Sequence, residues 1–332
     1  MVRNHLVGRV EELGLLDHLL DELDLGHRGL IEIVGQPGLG KTRLLRELAV
    51  RADRRGHLVL AGSASELEHD LPFSVFVDAV DEYVGGLEPA RLMLDEHLVP
   101  ELAQVFPALS GLAGEHAVTL TQERFRSHRA VRVLLERLAA PMPLVLVVDD
   151  FHWADSASVE LFGAFLRRPP AAAVLIALAR RPHQTPERLS ATLERALLQG
   201  TLVRIELGPL SPAEAHAFLG EAVDPAQREA LYRESGGNPF YLEQLARAWE
   251  RAAEPGFHVV DLGLAIEVPS AVAAAPGAIR PPDRGRQTAA HQAHPSPDMK
   301  QVVCSAALRA VRRDSSPRRR TPDCRQLRGG GG

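Results

Sequence analysis

Apolar positions divide the chain into short compact runs and longer periodic stretches. Leu13, Leu16, Leu19, Leu20 and Leu23 recur at helical spacing, and Gly26 closes that stretch. Leu30, Ile31, Ile33 and Val34 form a compact run that reads as a first strand. An amphipathic helix follows to about Arg55, with Leu44, Leu45 and Leu48 inward and Arg46, Arg51 and Arg54 outward. Leu58–Ala61 reads as a second strand and residues 122–139 as a helix. Leu144–Val148 then gives an unbroken apolar run ending in Asp149 and Asp150, the pattern of a strand buried on both faces. Ala173–Leu178 and Leu202–Leu207 read as further strands. Residues 62–120, interrupted by Pro72, Pro89, Pro100 and Pro107, mix short helices and carry no assignable chemistry.

Strands alternating with helices predict an α/β fold, a mostly parallel sheet covered by helices on both faces. From Ser211 the texture becomes helical. Ser211-Pro212-Ala213-Glu214 supplies an N-cap, a proline at the first helical position and an acid at the third. Gly236-Gly237-Asn238-Pro239 breaks the run before a helix from Phe240 to about Ala252. These segments predict a small helical lid beside the sheet. Beyond about Pro269 aromatic residues disappear, prolines and arginines scatter, and the chain closes on Gly329–Gly332, so disorder is expected there. The resulting division is a sheet domain over residues 1–208 and a helical lid over 209–255. Residues 256–332 are expected to be the start of a lost downstream region and a low-complexity basic tail.

Chemistry concentrates where the first strand meets its helix. Gly35-Gln36-Pro37-Gly38-Leu39-Gly40-Lys41-Thr42 fits G-x-x-x-x-G-K-[ST] in the strand–loop–helix context that makes it a phosphate-binding loop (P-loop). Glycines there let successive backbone N–H groups point at phosphate oxygens, and the helix start adds its positive dipole end. Lys41 reaches the β- and γ-phosphates, and the Thr42 hydroxyl suits Mg²⁺. The chain has two lysines, Lys41 and Lys300, against 36 arginines, so lysine stands where a compact ammonium is wanted. The glycine spacing does not fit the dinucleotide fingerprint G-x-G-x-x-G. Asp149 and Asp150 supply the second signal. The first acid ending a central strand suits the Mg²⁺ shell, and the next suits orienting or deprotonating a water. Arg180, at the end of the fourth strand, is expected to face the γ-phosphate and distinguish ATP from ADP, with Arg181 the weaker candidate.

His152, Asp155, Ser156 and Ser158 cluster in sequence, but there is no G-x-S-x-G elbow, and this turn reads as structural. His69, His97 and His128 lack metal-ligand spacing.

Charge refines the picture. The net charge of −5 conceals an asymmetry. Residues 269–332 hold eleven arginines and one lysine against four aspartates, a net +8, which leaves −13 on residues 1–268. An acidic body does not suit duplex DNA, whereas a basic tail can contact it. No apolar run approaches the ~18 residues of a membrane span, and no secretory signal pattern opens the chain. The two cysteines, Cys304 and Cys324, rule out a disulfide framework for the body and fit a cytoplasmic location.

Several segments together resemble a known family. Val7-Gly8-Arg9 with Glu11 and Glu12, Gly35–Thr42, Leu144–Asp155 with its His152-Trp153-Ala154-Asp155 ending, and Gly236–Leu242 look like the ATPase module of large LuxR-type transcriptional regulators. These belong to the STAND branch of AAA+-like signal-transduction ATPases. The resemblance covers roughly residues 5–255. It implies that Val7, Gly8 and Arg9 lie against adenine and ribose, and that Gly35, Pro37, Gly38, Leu39, Gly40, Lys41, Thr42 and Arg43 surround the phosphates. Thr42 and Asp149 would hold Mg²⁺, Asp150 would be the base, Arg180 the sensor, and Pro239 would touch the base of ATP or ADP from the lid. It further implies a slow ATPase used as a switch, with an inducer, self-association on ATP binding, and DNA contact only through a C-terminal domain not found here. The alternative is a stand-alone AAA-type ATPase driving a partner or linked enzyme. The Arg-rich, Lys-poor tail motivates the expectation of a frameshifted end of a longer gene from a high-GC genome.

Overall fold

The computed structural model describes residues 6–252, apart from 69, 89–91, 93, 96, 113–122 and 186. The tail, with Lys300, Cys304 and Cys324, and also His69, lies outside the described residues. Helix α1 (Val10–Asp24) leads into β1 (Gly29–Gly35), α2 (Lys41–Arg54) and β2 (Leu58–Ser63). Next come α3 (Ser74–Gly85), the short α4 (Val99–Ala103), α5 (Glu123–Leu138) and β3 (Leu144–Asp149). Then follow α6 (Ser156–Arg167), β4 (Val174–Arg180), α7 (Glu187–Leu198) and β5 (Val203–Leu207). Three helices finish the described chain, α8 (Pro212–Leu219), α9 (Pro225–Ser235) and α10 (Pro239–Ala252). All five expected strands form.

The strands pair in parallel in the order β2-β3-β4-β1-β5. The chain thus leaves β1 for the edge at β2, returns through β3 and β4, and hops over β1 to β5. The strands beside β1 on either side are therefore reached by different crossovers, and the carboxyl ends there open a crevice that loops from neither side fill. The P-loop sits at that point.

Strand alternation assigns each residue to one layer. Leu30, Leu144, Leu146, Val148, Val174, Ile176 and Leu178 face a core shared with residues of α3, α5, α6 and α7. Ile31, Ile33, Val145, Val147, Leu175, Ala177, Ala179 and Ile205 face the opposite core with Leu16, Leu20, Leu44 and Leu48 of α1 and α2. Every residue of β4 is buried, which is why that strand reads as an unbroken apolar run. Edge strands β2 and β5 alternate buried with exposed positions instead.

The lid has its own small core, built from Leu210, Ala215, Leu219, Val223, Leu231, Leu242, Leu245 and Ala246. Ser211 caps α8 in a full capping box with Glu214. Glu214 does two jobs. One carboxylate oxygen accepts from Ser211 N at 2.8 Å and the other from Arg9 N at 3.0 Å. Burial pushes its pKa up, but these backbone donors and the Ser211 hydroxyl outweigh it and hold the carboxyl below its usual range.

Candidate functional site

The P-loop follows from local conformation. Gly38 and Gly40 adopt φ of 82° and 95°, in the left-handed region that a side chain strains. A Cβ on Gly38 would also lie 2.6 Å from Asn238 Oδ1 of the lid. Gly40 is the residue before α2, so that helix begins with Lys41 and its first-turn N–H groups open toward the loop. The Lys41 ammonium is buried and donates to the carbonyls of Gly35 at 3.0 Å and Gln36 at 3.1 Å. Burial, with the nearby Arg181 charge, pushes its pKa down from 10.5 to about 8, while Asp150 and Asp149 act in the opposite direction. Carbonyl oxygens are weak partners for a buried ammonium, and a polyphosphate would be a far stronger one.

At the end of β3, Asp149 Oδ1 accepts from Asp150 N at 2.8 Å. Asp150 takes φ 48°, rare for a residue with a side chain, and faces the same cleft as Lys41. Burial and the Asp149 charge push its pKa up, opposed by Arg181 and Lys41. His152 lies in the turn just beyond. Burial, then Arg181 and Lys41, push its imidazole down to about 3.

A cleft of about 490 Å³ joins these groups to the lid. Its charged lining includes Lys41, Asp150, Arg181, Arg43 and Arg46, with Thr42 at the mouth of α2. Its apolar lining comes from Leu6 and Val7 before α1, Leu207 at the end of β5, and Leu210, Phe218, Pro239 and Phe240 of the lid. A pocket with one polar and one apolar lining suits a nucleotide, whose base wants hydrocarbon walls and whose phosphates want cations. The lid reaches back onto the P-loop. Asn238 Nδ2 donates to Pro37 O at 3.1 Å, and Phe240 N to Gly38 O at 3.3 Å.

Of the expected nucleotide set, Val7, Arg9, Pro37, Gly38, Leu39, Gly40, Lys41, Thr42, Arg43, Asp150 and Pro239 come together around this cleft. Gly8, Gly35 and Asp149 stand behind its wall. Gly8 backs onto Glu214, whose Oε1 would lie 2.4 Å from an added Cβ, and Gly35 offers its carbonyl to Lys41. Arg9 is buried, and its guanidinium donates to the carbonyls of Leu39 at 3.4 Å and of Gly208, and pairs with Glu12 at 3.1 Å. It clasps the P-loop to the base of the lid.

Arg180 does not face the cleft. It lies on the same face of β4 as Leu178, and its Nε donates to Glu32 Oε2 at 2.8 Å. Glu32 is fully buried in β1 and also binds Arg204. A carboxylate inside a sheet demands counter-charges, and Arg180 and Arg204 supply them. Of the two, Arg181 is the one that lines the cleft. The expectation for Arg180 is corrected accordingly, because a partner 148 residues away in sequence claims its side chain. The lid residues Phe218, Glu243 and Arg247 were also missed; nothing in their local sequence marks a binding role.

The turn after Asp150 is structural at its far end. Asp155 caps α6 by accepting from Ser158 N at 2.9 Å, and also accepts from Phe73 N at 3.0 Å and Ser74 N at 3.1 Å at the start of α3. Its carboxylate is spent on two helix ends, and no Ser-His-Asp relay forms.

A family profile described as AAA ATPase domain matches residues 5–178. An uncharacterised protein of Rhizobium meliloti (strain 1021) is 27% identical over 268 residues, covering 75% of this chain and 26% of its own length. The hybrid signal transduction histidine kinase G of Dictyostelium discoideum is 25% identical over 176 residues, 48% of this chain and 5% of the kinase. The chain thus spans about a quarter or less of the curated relatives it matches. Among solved structures, Cdc6p from Pyrobaculum aerophilum is similar in fold, with a TM-score of 0.50 at 13% identity, covering 80% of this chain and 68% of that one.

Proposed function

We propose, from the premise that the chain belongs to the AAA ATPase domain family, that its cleft is an ATP-operated switch with slow Mg²⁺-dependent hydrolysis. Nucleotide binding follows from the family; the switch is our reading. The observation that carries it is the direct hydrogen bonding of the lid to the P-loop, Asn238 to Pro37 O and Phe240 N to Gly38 O. Phosphates that draw Lys41 away from the Gly35 and Gln36 carbonyls reshape the loop on which the lid rests. A ligand that favours one lid position shifts the population toward it in proportion to its differential affinity.

The chain's residues divide the work. Loop amides and Lys41 bind phosphates, Leu210, Phe218 and Pro239 hold the base, and Arg181 takes the phosphate-facing role expected of Arg180. Asp150 accepts a proton from water as the water oxygen bonds to the γ-phosphorus and the bond to the bridging oxygen breaks. Mg²⁺ fits the donor set. Thr42 and Asp149 offer hard oxygens, and no cluster of three or more His, Cys, Asp or Glu suited to a metal exists among the described residues. A cation here would therefore be held through substrate phosphates and water as well as protein.

The same motifs that resemble LuxR-type regulators support placing this switch in a larger regulatory protein. Inducer sensing, DNA contact and self-association would lie in or depend on other parts of such a protein. No helix among the described residues is long and apolar enough to cross a membrane.

Titration of ATP and ADP into wild type and Lys41→Ala tests the reading. The variant should keep its circular-dichroism spectrum and lose about 100-fold in ATP affinity, roughly two charge-assisted hydrogen bonds. Unchanged affinity would sink the assignment. Wild-type turnover well above ~0.1 s⁻¹ would favour the second reading, a working ATPase, over a switch.

A further inference from the structure

His152 is buried beside the cleft, and neither ring nitrogen has a hydrogen-bond partner. Its ring packs against Trp153 with centroids 5.1 Å apart. Hydrocarbon of the same shape would serve that packing, and an orphaned polar nitrogen in the interior is normally eliminated or explained. The nearest candidate partner is Asp150. His152 Nδ1 lies 3.8 Å from Asp150 Oδ1, beyond hydrogen-bond reach by less than half an ångström.

Asp150, in a left-handed conformation, is the residue that opens this turn. The charged groups facing the pair are Asp149 from the same strand, Lys41 from α2 and Arg181 from the end of β4. The two cations and burial keep the imidazole neutral, so it presents a single N–H and one lone pair.

We infer that His152 is a positioning residue for Asp150: its Nδ1–H donates to Asp150 Oδ1 when nucleotide binds, and so turns the second carboxylate oxygen toward the attacking water. This rests on the reading of Asp150 as the base. The imidazole neither gains nor loses a proton; it fixes which oxygen is free, as outer-shell partners do for other reacting groups.

The test uses the whole chain with four variants. Asp150→Asn comes first, and if it keeps turnover the base reading itself fails. With that loss established, His152→Leu should reduce kcat by about 10–100-fold, the usual range for an outer-shell partner, at an ATP affinity within about twofold of wild type. His152→Asn, whose amide can occupy the Nδ1 position, should stay within about threefold of wild type. Wild-type turnover in His152→Leu, or equal loss in His152→Asn, overturns the inference. Should His152→Leu fail to fold, His152→Asn against His152→Gln decides it. The glutamine amide reaches toward Nε2 instead, so equal activity of the two is the overturning result. Independently of turnover, ¹⁵N NMR of the imidazole with a non-hydrolysable ATP analogue should show the neutral Nδ1–H tautomer. An Nε2–H tautomer or an imidazolium overturns the inference even if hydrolysis is undetectable.

Discussion

The sheet and the lid meet at one cleft but are held by different physics. The sheet is a two-sided interior whose central strand β4 is buried throughout and whose faces each carry a continuous apolar layer. The lid encloses a far smaller cluster around Leu219, Leu242 and Leu245. Its attachment to the sheet leans on a few polar contacts: Asn238 and Phe240 on the P-loop, and Arg9 with Gly208 and Glu214 at the base. Separating the sheet's layers would forfeit many close apolar contacts at once, whereas the lid is released by losing a few hydrogen bonds that water can replace. One region is built to persist and the other to let go.

The strongest way to break this comparison is to delete matched volume on both sides. Leu146→Ala in β3 should lower the stability of the whole domain by about 2–5 kcal/mol, read as the denaturation midpoint. Leu242→Ala removes the same groups from a fully buried lid site. Its cost should appear chiefly as faster amide exchange across residues 212–252, with the sheet's midpoint nearly unmoved. Equal effects on the global midpoint would mean that lid and sheet unfold as one unit.

Acidity gives the next effect in size. In the protein alone Lys41 titrates near 8, and bound phosphates favour its charged form, raising its pKa in the complex. Its contribution to affinity is therefore complete below pH 8 and lost as pH rises through the window above it. ATP affinity should fall by up to about tenfold per pH unit there, with proton uptake measurable by calorimetry in buffers of different ionisation enthalpy. Stability of the ligand-free chain runs the other way. The folded pKa lies below the unfolded value of 10.5, so the unfolded chain binds the extra proton between pH 8 and 10.5 and the fold gains stability across that interval. Comparison with Lys41→Met isolates both slopes.

The smallest effect belongs to Asn238→Ala. It removes the side-chain bond to Pro37 O and the one accepted from Phe240 N within the lid, about 0.5–1.5 kcal/mol each, and should loosen the lid without touching the sheet. Limited proteolysis should show earlier cleavage within residues 209–252 and a reduced difference between ATP- and ADP-bound patterns.

How much of this was legible in the sequence depended on distance along the chain. Strands β1, β3 and β4 announced themselves because burial on both faces makes them almost wholly apolar, and the P-loop because its glycines and Lys41 are contiguous. Residues 62–120 read only as a mix of short helices with no assignable chemistry; α3 there is anchored by Asp155 from another segment. The choice between Arg180 and Arg181 turned on Glu32, which looks like an ordinary interruption of an apolar run. Only the register of β1 against β4 reveals it as the partner of Arg180. The lid's grip on the P-loop was equally hidden, since Asn238 and Pro37 stand 201 residues apart.

The shared carboxylate of Glu214 also sets an order of events during synthesis. Arg9 N and Glu214 are separated by 205 residues, so the opening segment of the chain has no docking partner until the start of α8 has left the ribosome. At about 5–20 residues per second, that is a wait of roughly ten to forty seconds. Throughout it Leu6 and Val7, which later line the cleft, remain outside any finished pocket. A nascent chain with its sheet already assembled would still lack the lid wall of the cleft, and competence would arrive abruptly, when residues 6–9 close on helices α8 to α10.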